Sequence, residues 1–279
     1  MRLASMLLMA LLARGASAEV RWFGNADRAL QAARNEGKLV MLDLVNPPPV
    51  VTRRGPRFQD SRFDAPRVEK AVAAFVPLRL QAKRDGKKFA ERFKVGSFPT
   101  VLFLDAGGSA VWRISGPTGP DSFLVQFRKA KGMARSLPAY RRAYRTRKGS
   151  VDELGGAGIL AAAANDVAAA EALVRLATAR DPKVKNVRLA DACNMLGDCH
   201  QNAGRYAAAI PLFRKAAANA DDDTKSYALI SIASCYLSLR DRKAAAPWLQ
   251  KLVEMGPRAG EYGPAAKNLL SPHARPAVP

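Results

Sequence analysis

The sequence predicts two units in series: an α/β sandwich, followed by an all-α stack of helical hairpins. Three observations carry this. The run Lys38–Val45 (KLVMLDLV) is apolar apart from Asp43, as in a strand covered on both faces. Two further strand candidates follow, Ala73–Ala82 and Val101–Asp105, separated by a short amphipathic helix, GKKFAERFKV. Beyond residue 150 the composition turns alanine-rich with helical spacing, and the pattern repeats itself thirty-six residues apart.

The elements follow in chain order. Residues 1–18 show Arg2, an apolar run from Leu3 to Ala13, and Ala16-Ser17-Ala18 as a small-x-small cleavage site, which is the pattern of a secretory signal. That run is too short to span a bilayer, and no later segment is long enough. The expectation is therefore an exported chain, periplasmic or secreted, without a transmembrane segment once the signal is cleaved; an uncleaved anchor is the competing reading. Residues 19–131 form the sandwich. Within them the first strand runs into the loop Asn46–Thr52. Gly96–Thr100 leads into VLFLD, the glycine turn Ala106–Ser109 links it to Val111–Gly116, and Asp121–Lys131 closes as a helix. Residues 132–150 read as a basic linker: Arg128 to Lys148 holds nine bases and no acid. Residues 151–270 are the helical repeats and 271–279 a Pro-rich tail.

Within 19–131 the order of elements resembles a thioredoxin. Asp43 matches that family's buried acid, and Phe98-Pro99-Thr100 resembles the segment that carries its cis-proline, with Pro99 in that position. Counting on from Asp43, the two cysteines of the family's Cys-x-x-Cys loop fall on Pro49 and Thr52, so the loop reads Pro49-Val50-Val51-Thr52. Disulfide exchange needs a thiolate of lowered pKa and a second thiol to resolve the mixed disulfide. Proline has no nucleophile, and no nearby histidine could activate the Thr52 hydroxyl. The resemblance implies the fold, and the substitution implies a redox-inactive member of it.

The helical half resembles tetratricopeptide repeats. Leu196-Gly197, His200, Gly204, Tyr206, Ala209, Phe213 and Ala216 stand at that family's offsets. A second copy carries Leu229, Ile232-Ala233, Tyr236, Ala245, Leu249, Leu252 and Pro257. A weaker, earlier one carries Gly158, Ala170, Val174, Ala177 and Pro182. Three hairpins reach the minimum for a stable stack. The resemblance implies a concave face that binds a protein or peptide, against a purely structural cap or spacer. Asn194, Asn202 and Lys215 are ordinary helix residues that make no carboxylate clamp.

Other chemistry is thin. Cys193, Cys199 and Cys235 lie far from the loop, and an odd count argues against a disulfide framework, so free buried thiols are expected. His200 and His273 make no metal site, and no cofactor is implied. Gly155-Gly156-Ala157-Gly158 follows no strand, which weakens a phosphate-loop reading. Asp221-Asp222-Asp223 reads as a turn whose last acid caps the next helix together with Thr224. The net charge of +21 draws polyanions whatever the fold; Arg141, Arg142, Arg145, Arg147 and Lys148 are the candidate contacts for an anionic envelope polymer. Tyr140 and Tyr144 could stack on a base, or could line one side of a packed helix; nucleic-acid binding is the weaker reading.

The function expected from all this is an exported, non-catalytic docking module. Its cis-proline segment at Phe98 and Pro99 is a second surface for an extended peptide. The alternatives are a thiol–disulfide oxidoreductase and a polyanion-binding envelope protein.

Overall fold

The computed structural model describes residues 20–46, 50–52, 55–57, 63, 65–116 and 118–271. The proposed signal, Pro49 and the tail from residue 272 with His273 lie outside them.

The N-terminal half is a small mixed sheet with helices. Helix α1 (Ala26–Glu36) starts at Asn25, whose side chain accepts from the Arg28 amide, and stops at Gly37, which takes the left-handed φ of 62°. Strand β1 (Val40–Val45) is buried along its whole length. A two-stranded ribbon follows, β2 (Val50–Thr52) against β3 (Gly55–Arg57). After α2 (Pro66–Val72) come β4 (Val76–Gln81), α3 (Lys87–Arg92), β5 (Thr100–Leu104) and β6 (Ala110–Ser115). The main sheet runs β4-β1-β5-β6, with β4 parallel to β1 and the other pairs antiparallel. The β5–β6 turn is fixed by Asp105, whose Oδ1 accepts from the amides of Gly107 (2.8 Å) and Ser109 (3.0 Å). Gly108 supplies the φ of 77° that the turn requires.

Helix α4 (Pro120–Thr146) joins the two halves. Its first turns bring Phe123 and Phe127 into an aromatic core with Phe63, Phe75 and Phe103, at centroid separations of 4.6–5.5 Å. The helix does not stop at residue 131. It continues through Pro138, because Met133, Tyr140 and Ala143 form a second buried stripe facing α5 (Val151–Ala163). Residues 132–146, read in the sequence as a linker, are thus the second half of a helix. The connection itself is confined to residues 147–150, and Ser150 and Glu153 close a capping box that starts α5.

The C-terminal half is all helical: α5 pairs with α6 (Val167–Arg180), α7 (Val187–Asn202) with α8 (Tyr206–Ala217), and α9 (Asp222–Ser238) with α10 (Arg242–Glu254). A 3-10 turn (Gly256–Ala259) and α11 (Tyr262–Leu270) end the stack. Small residues set its close approaches. A Cβ on Gly156 would sit 2.4 Å from the Tyr140 ring, one on Gly155 2.8 Å from the Leu189 amide nitrogen, and one on Gly197 2.6 Å from the Phe213 ring. The glycine run at 155–158 is therefore a packing seam. The first acid of 221–223, not the last, caps α9: Asp221 Oδ1 accepts from the Thr224 amide at 2.8 Å.

Candidate functional site

The sequence places its chemistry around the end of β1 and the entry to β5. Asp43, mid-way along β1, is fully buried, and its Oδ2 accepts from Arg79 Nε at 2.8 Å. Parallel pairing of β1 with β4 sets the two residues opposite one another. The Arg79 guanidinium lies 4.0 Å from the Trp22 ring centroid and 5.1 Å from that of Phe63, so planar cation and aromatic faces stack. Asp43 is thus half of an ion pair held inside the sheet unit. Arg79 was not singled out in the sequence, although the signal was there: a lone base in the otherwise alternating strand VPLRLQ, at the register position of the lone acid in β1.

Val50–Thr52 pairs with Gly55–Arg57 as a ribbon: Val50 with Arg57, Val51 with Pro56, Thr52 with Gly55. Further along, the Phe98–Pro99 peptide is cis. Phe98 and Pro99 are half-buried, and among the described residues the Phe98 main chain has no hydrogen-bond partner. The segment is anchored on either side, by Thr100 Oγ1 donating to Ser97 O (2.7 Å) and by the Gly116 amide donating to Pro99 O (2.9 Å). Immediately before it, Lys94 and Gly96 line a broad cleft, whose opposite wall is the α5–α6 turn and the end of α7, with Glu171, His200 and Arg205. His200 is buried there between Arg205 Nε, which donates to its Nδ1 at 3.0 Å, and Glu171, 3.1 Å from its Nε2. That geometry assigns the Nε2–H tautomer and spends both ring nitrogens on neighbours. Among the described residues no His, Cys, Asp and Glu group could hold a metal ion.

The three cysteines are free and buried in the stack, and burial pushes each thiol up to about 12. Cys199 also donates to the Ala162 carbonyl at 3.3 Å. None is a thiolate near neutral pH, so none is poised as a nucleophile.

The five basic residues at the end of α4 are only partly available. Arg141 is ion-paired with Asp105, and Arg142 with Glu153 at 2.6 Å. Arg147 caps α4 with a φ of 57° and lies over the Tyr144 ring. Arg145 and Lys148 are exposed. Neither tyrosine is a free stacking platform: Tyr140 is buried with its hydroxyl donating to Asp152 (3.0 Å), and Tyr144 donates to Asp166 (2.6 Å).

The inner face of the repeats, the surface expected to receive a partner, meets β6 and α4 of the same chain. Lys129 bridges Asp191 on α7 (2.5 Å) and Thr224 on α9 (2.7 Å), and the Gly119 amide donates to Glu261 (3.0 Å). Asp191, Asn194, Met195, Asp198 and Tyr227 enclose a small cleft against Trp112 and Arg113 of β6. Within it Tyr227 donates to Asp198 at 2.8 Å, while burial pushes the Asp198 carboxyl up to about 7.

Two comparisons with known proteins bear on this arrangement. Residues 190–223, which hold most of α7, all of α8 and the start of α9, match the tetratricopeptide repeat family. Over 124 residues the chain is 31% identical to the thiol:disulfide interchange protein DsbD of Ralstonia nicotianae, an alignment covering 43% of this chain and 20% of that protein. The chain therefore spans about a fifth of the length of the curated relative that it matches.

Proposed function

We propose that this chain is an exported, non-catalytic thioredoxin-fold and tetratricopeptide protein that works by docking another polypeptide. A central β1 with a parallel neighbour and an antiparallel hairpin supports the thioredoxin reading of the N-terminal half. Similarity to a thiol:disulfide interchange protein supports it as well. The observation that carries the non-catalytic reading is the placement of sulfur. The loop after β1 contains none, and all three thiols are sealed in the stack with their pKa raised to about 12. The Phe98 main chain, without a hydrogen-bond partner among the described residues, can then serve as a strand-addition site without any chemistry to follow.

Insulin reduction and peptide binding test this together. Purified protein lacking residues 1–18 should show no turnover above buffer. Extended peptides selected on it by display should lose at least tenfold in affinity when Pro99→Ala is introduced into a chain that still melts cooperatively. Robust turnover abolished by a triple Cys→Ser variant would instead establish the oxidoreductase reading, which the DsbD similarity favours. Unchanged peptide affinity in Pro99→Ala would remove the docking surface.

A further inference from the structure

The outer side of the stack holds a groove that does not depend on the reading above. It crosses the end of α8, the start of α9 and the end of α10, and has about 520 Å³ of open space. Leu229, Trp248 and Met255 make its floor, and Arg214, Lys225, Lys251 and Arg258 its rim, with Glu254 the single acid. Arg214 and Lys251 approach the Trp248 ring from two helices, at 5.3 and 4.7 Å from its centroid. Arg214 also donates to the Tyr236 hydroxyl at 2.7 Å. Arg258 has a distant acid, Asp222 at 3.8 Å; among the described residues no carboxylate lies within ion-pairing distance of Arg214, Lys225 or Lys251.

A cation in the last turn of a helix complements the helix dipole, which accounts for Lys251 and Arg214 singly. It does not account for a half-buried indole between them, nor for the cation added by α9. We propose that this groove binds an acidic protein segment carrying one large apolar side chain, which seats on Trp248 and Leu229 while its carboxylates meet Arg214, Lys225 and Lys251. Charge complementarity selects the occupant: a cationic segment is repelled both locally and by the net charge of +21. The concave apolar floor favours an anchored peptide over a uniformly charged polymer. The inner face of the repeats is already covered by β6 and α4, which leaves the outer groove open to a partner.

The test uses three fluorescein-labelled or vesicle probes at 150 mM salt: a twelve-residue Asp/Glu/Ser peptide with a central Leu-Trp, an equally charged peptide without it, and phosphatidylglycerol vesicles. The anchored peptide should bind at least tenfold more tightly than its anchorless partner. Trp248→Ala should remove that preference, and Arg214→Glu combined with Lys251→Glu should weaken the anchored peptide at least tenfold. Lys225→Glu, which touches none of the aromatic contacts, should weaken it about threefold and guards against a folding defect in the double variant. Equal affinity for the two peptides, preference for the vesicles, no binding, or indifference to Lys225→Glu would each overturn the proposal.

Discussion

Two carboxylates withdrawn from bulk water, Asp43 in the sheet unit and Asp198 in the helical stack, are met in different ways. In the sheet unit Asp43 is met at 2.8 Å by Arg79, whose guanidinium is itself stacked on Trp22. In the helical stack Asp198 is met by the hydroxyl of Tyr227, with the Arg113 charge acting only from a greater distance. The guanidinium meets the carboxylate across paired strands, so the first pair is a fixed part of strand register. A phenol donates one hydrogen bond and cannot offset the desolvation of a charge. The second carboxyl therefore titrates near neutrality. One region uses its acid as a structural staple, and the other holds an acid whose charge depends on pH at the seam between the halves.

The largest effect should come from breaking the first pair. Arg79→Ala leaves Asp43 inside the sheet unit without its guanidinium, and loss of one partner of a buried pair costs roughly 3 kcal/mol or more. Urea unfolding should show that loss, and Asp43→Asn in the same background should recover part of it; a change under 1 kcal/mol would mean the pair contributes little. Next in size is Tyr227→Phe, which removes the donor to Asp198. A hydrogen bond to a charged group contributes about 1.5–3 kcal/mol, so the variant should lose more stability at pH 8 than at pH 5, where the carboxyl is protonated.

The smallest effect sharpens the contrast. The folded-state pKa of Asp198 is raised to about 7, above the ordinary aspartate value of about 4. Between those values the folded chain holds a proton that the unfolded chain releases. The contribution of this group to stability is thus greatest near pH 4, falls as pH rises to 7, and is level beyond. Asp198→Asn should flatten that slope and, since the amide removes the charge but keeps an acceptor for Tyr227, leave the chain no less stable than the parent at pH 8. Thermal melts at pH 5, 6, 7 and 8 decide it; parallel curves for variant and parent would show that Asp198 does not titrate in this range.

Much of the architecture was legible in the residues. The Lys38–Val45 run contains β1, Ala73–Ala82 contains β4, and the AGGS turn falls where β5 turns into β6. Gly197 and Phe213, picked out as repeat positions, prove to be in contact, because only a hydrogen leaves room for the ring. What stayed hidden was long-range. The arginines of residues 135–147 mask the apolar stripe Met133, Tyr140, Ala143, since local charge density says nothing about the face that points inward. Arg79 could be matched to Asp43 only once parallel register was known. Coverage of the repeats' inner face by β6 and α4 depends on how two separately readable units are oriented, and no spacing within either encodes that.

The continuity of α4 has a practical corollary for dissecting the gene. A fragment ending near residue 131 would shed the turns holding Met133, Tyr140 and Ala143, while one beginning near 150 would leave the surface of α5 bare where Tyr140 sits against Gly156. Half-proteins cut there would each present a greasy scar to solvent, and swapping either half into another scaffold requires carrying this shared rod along with it.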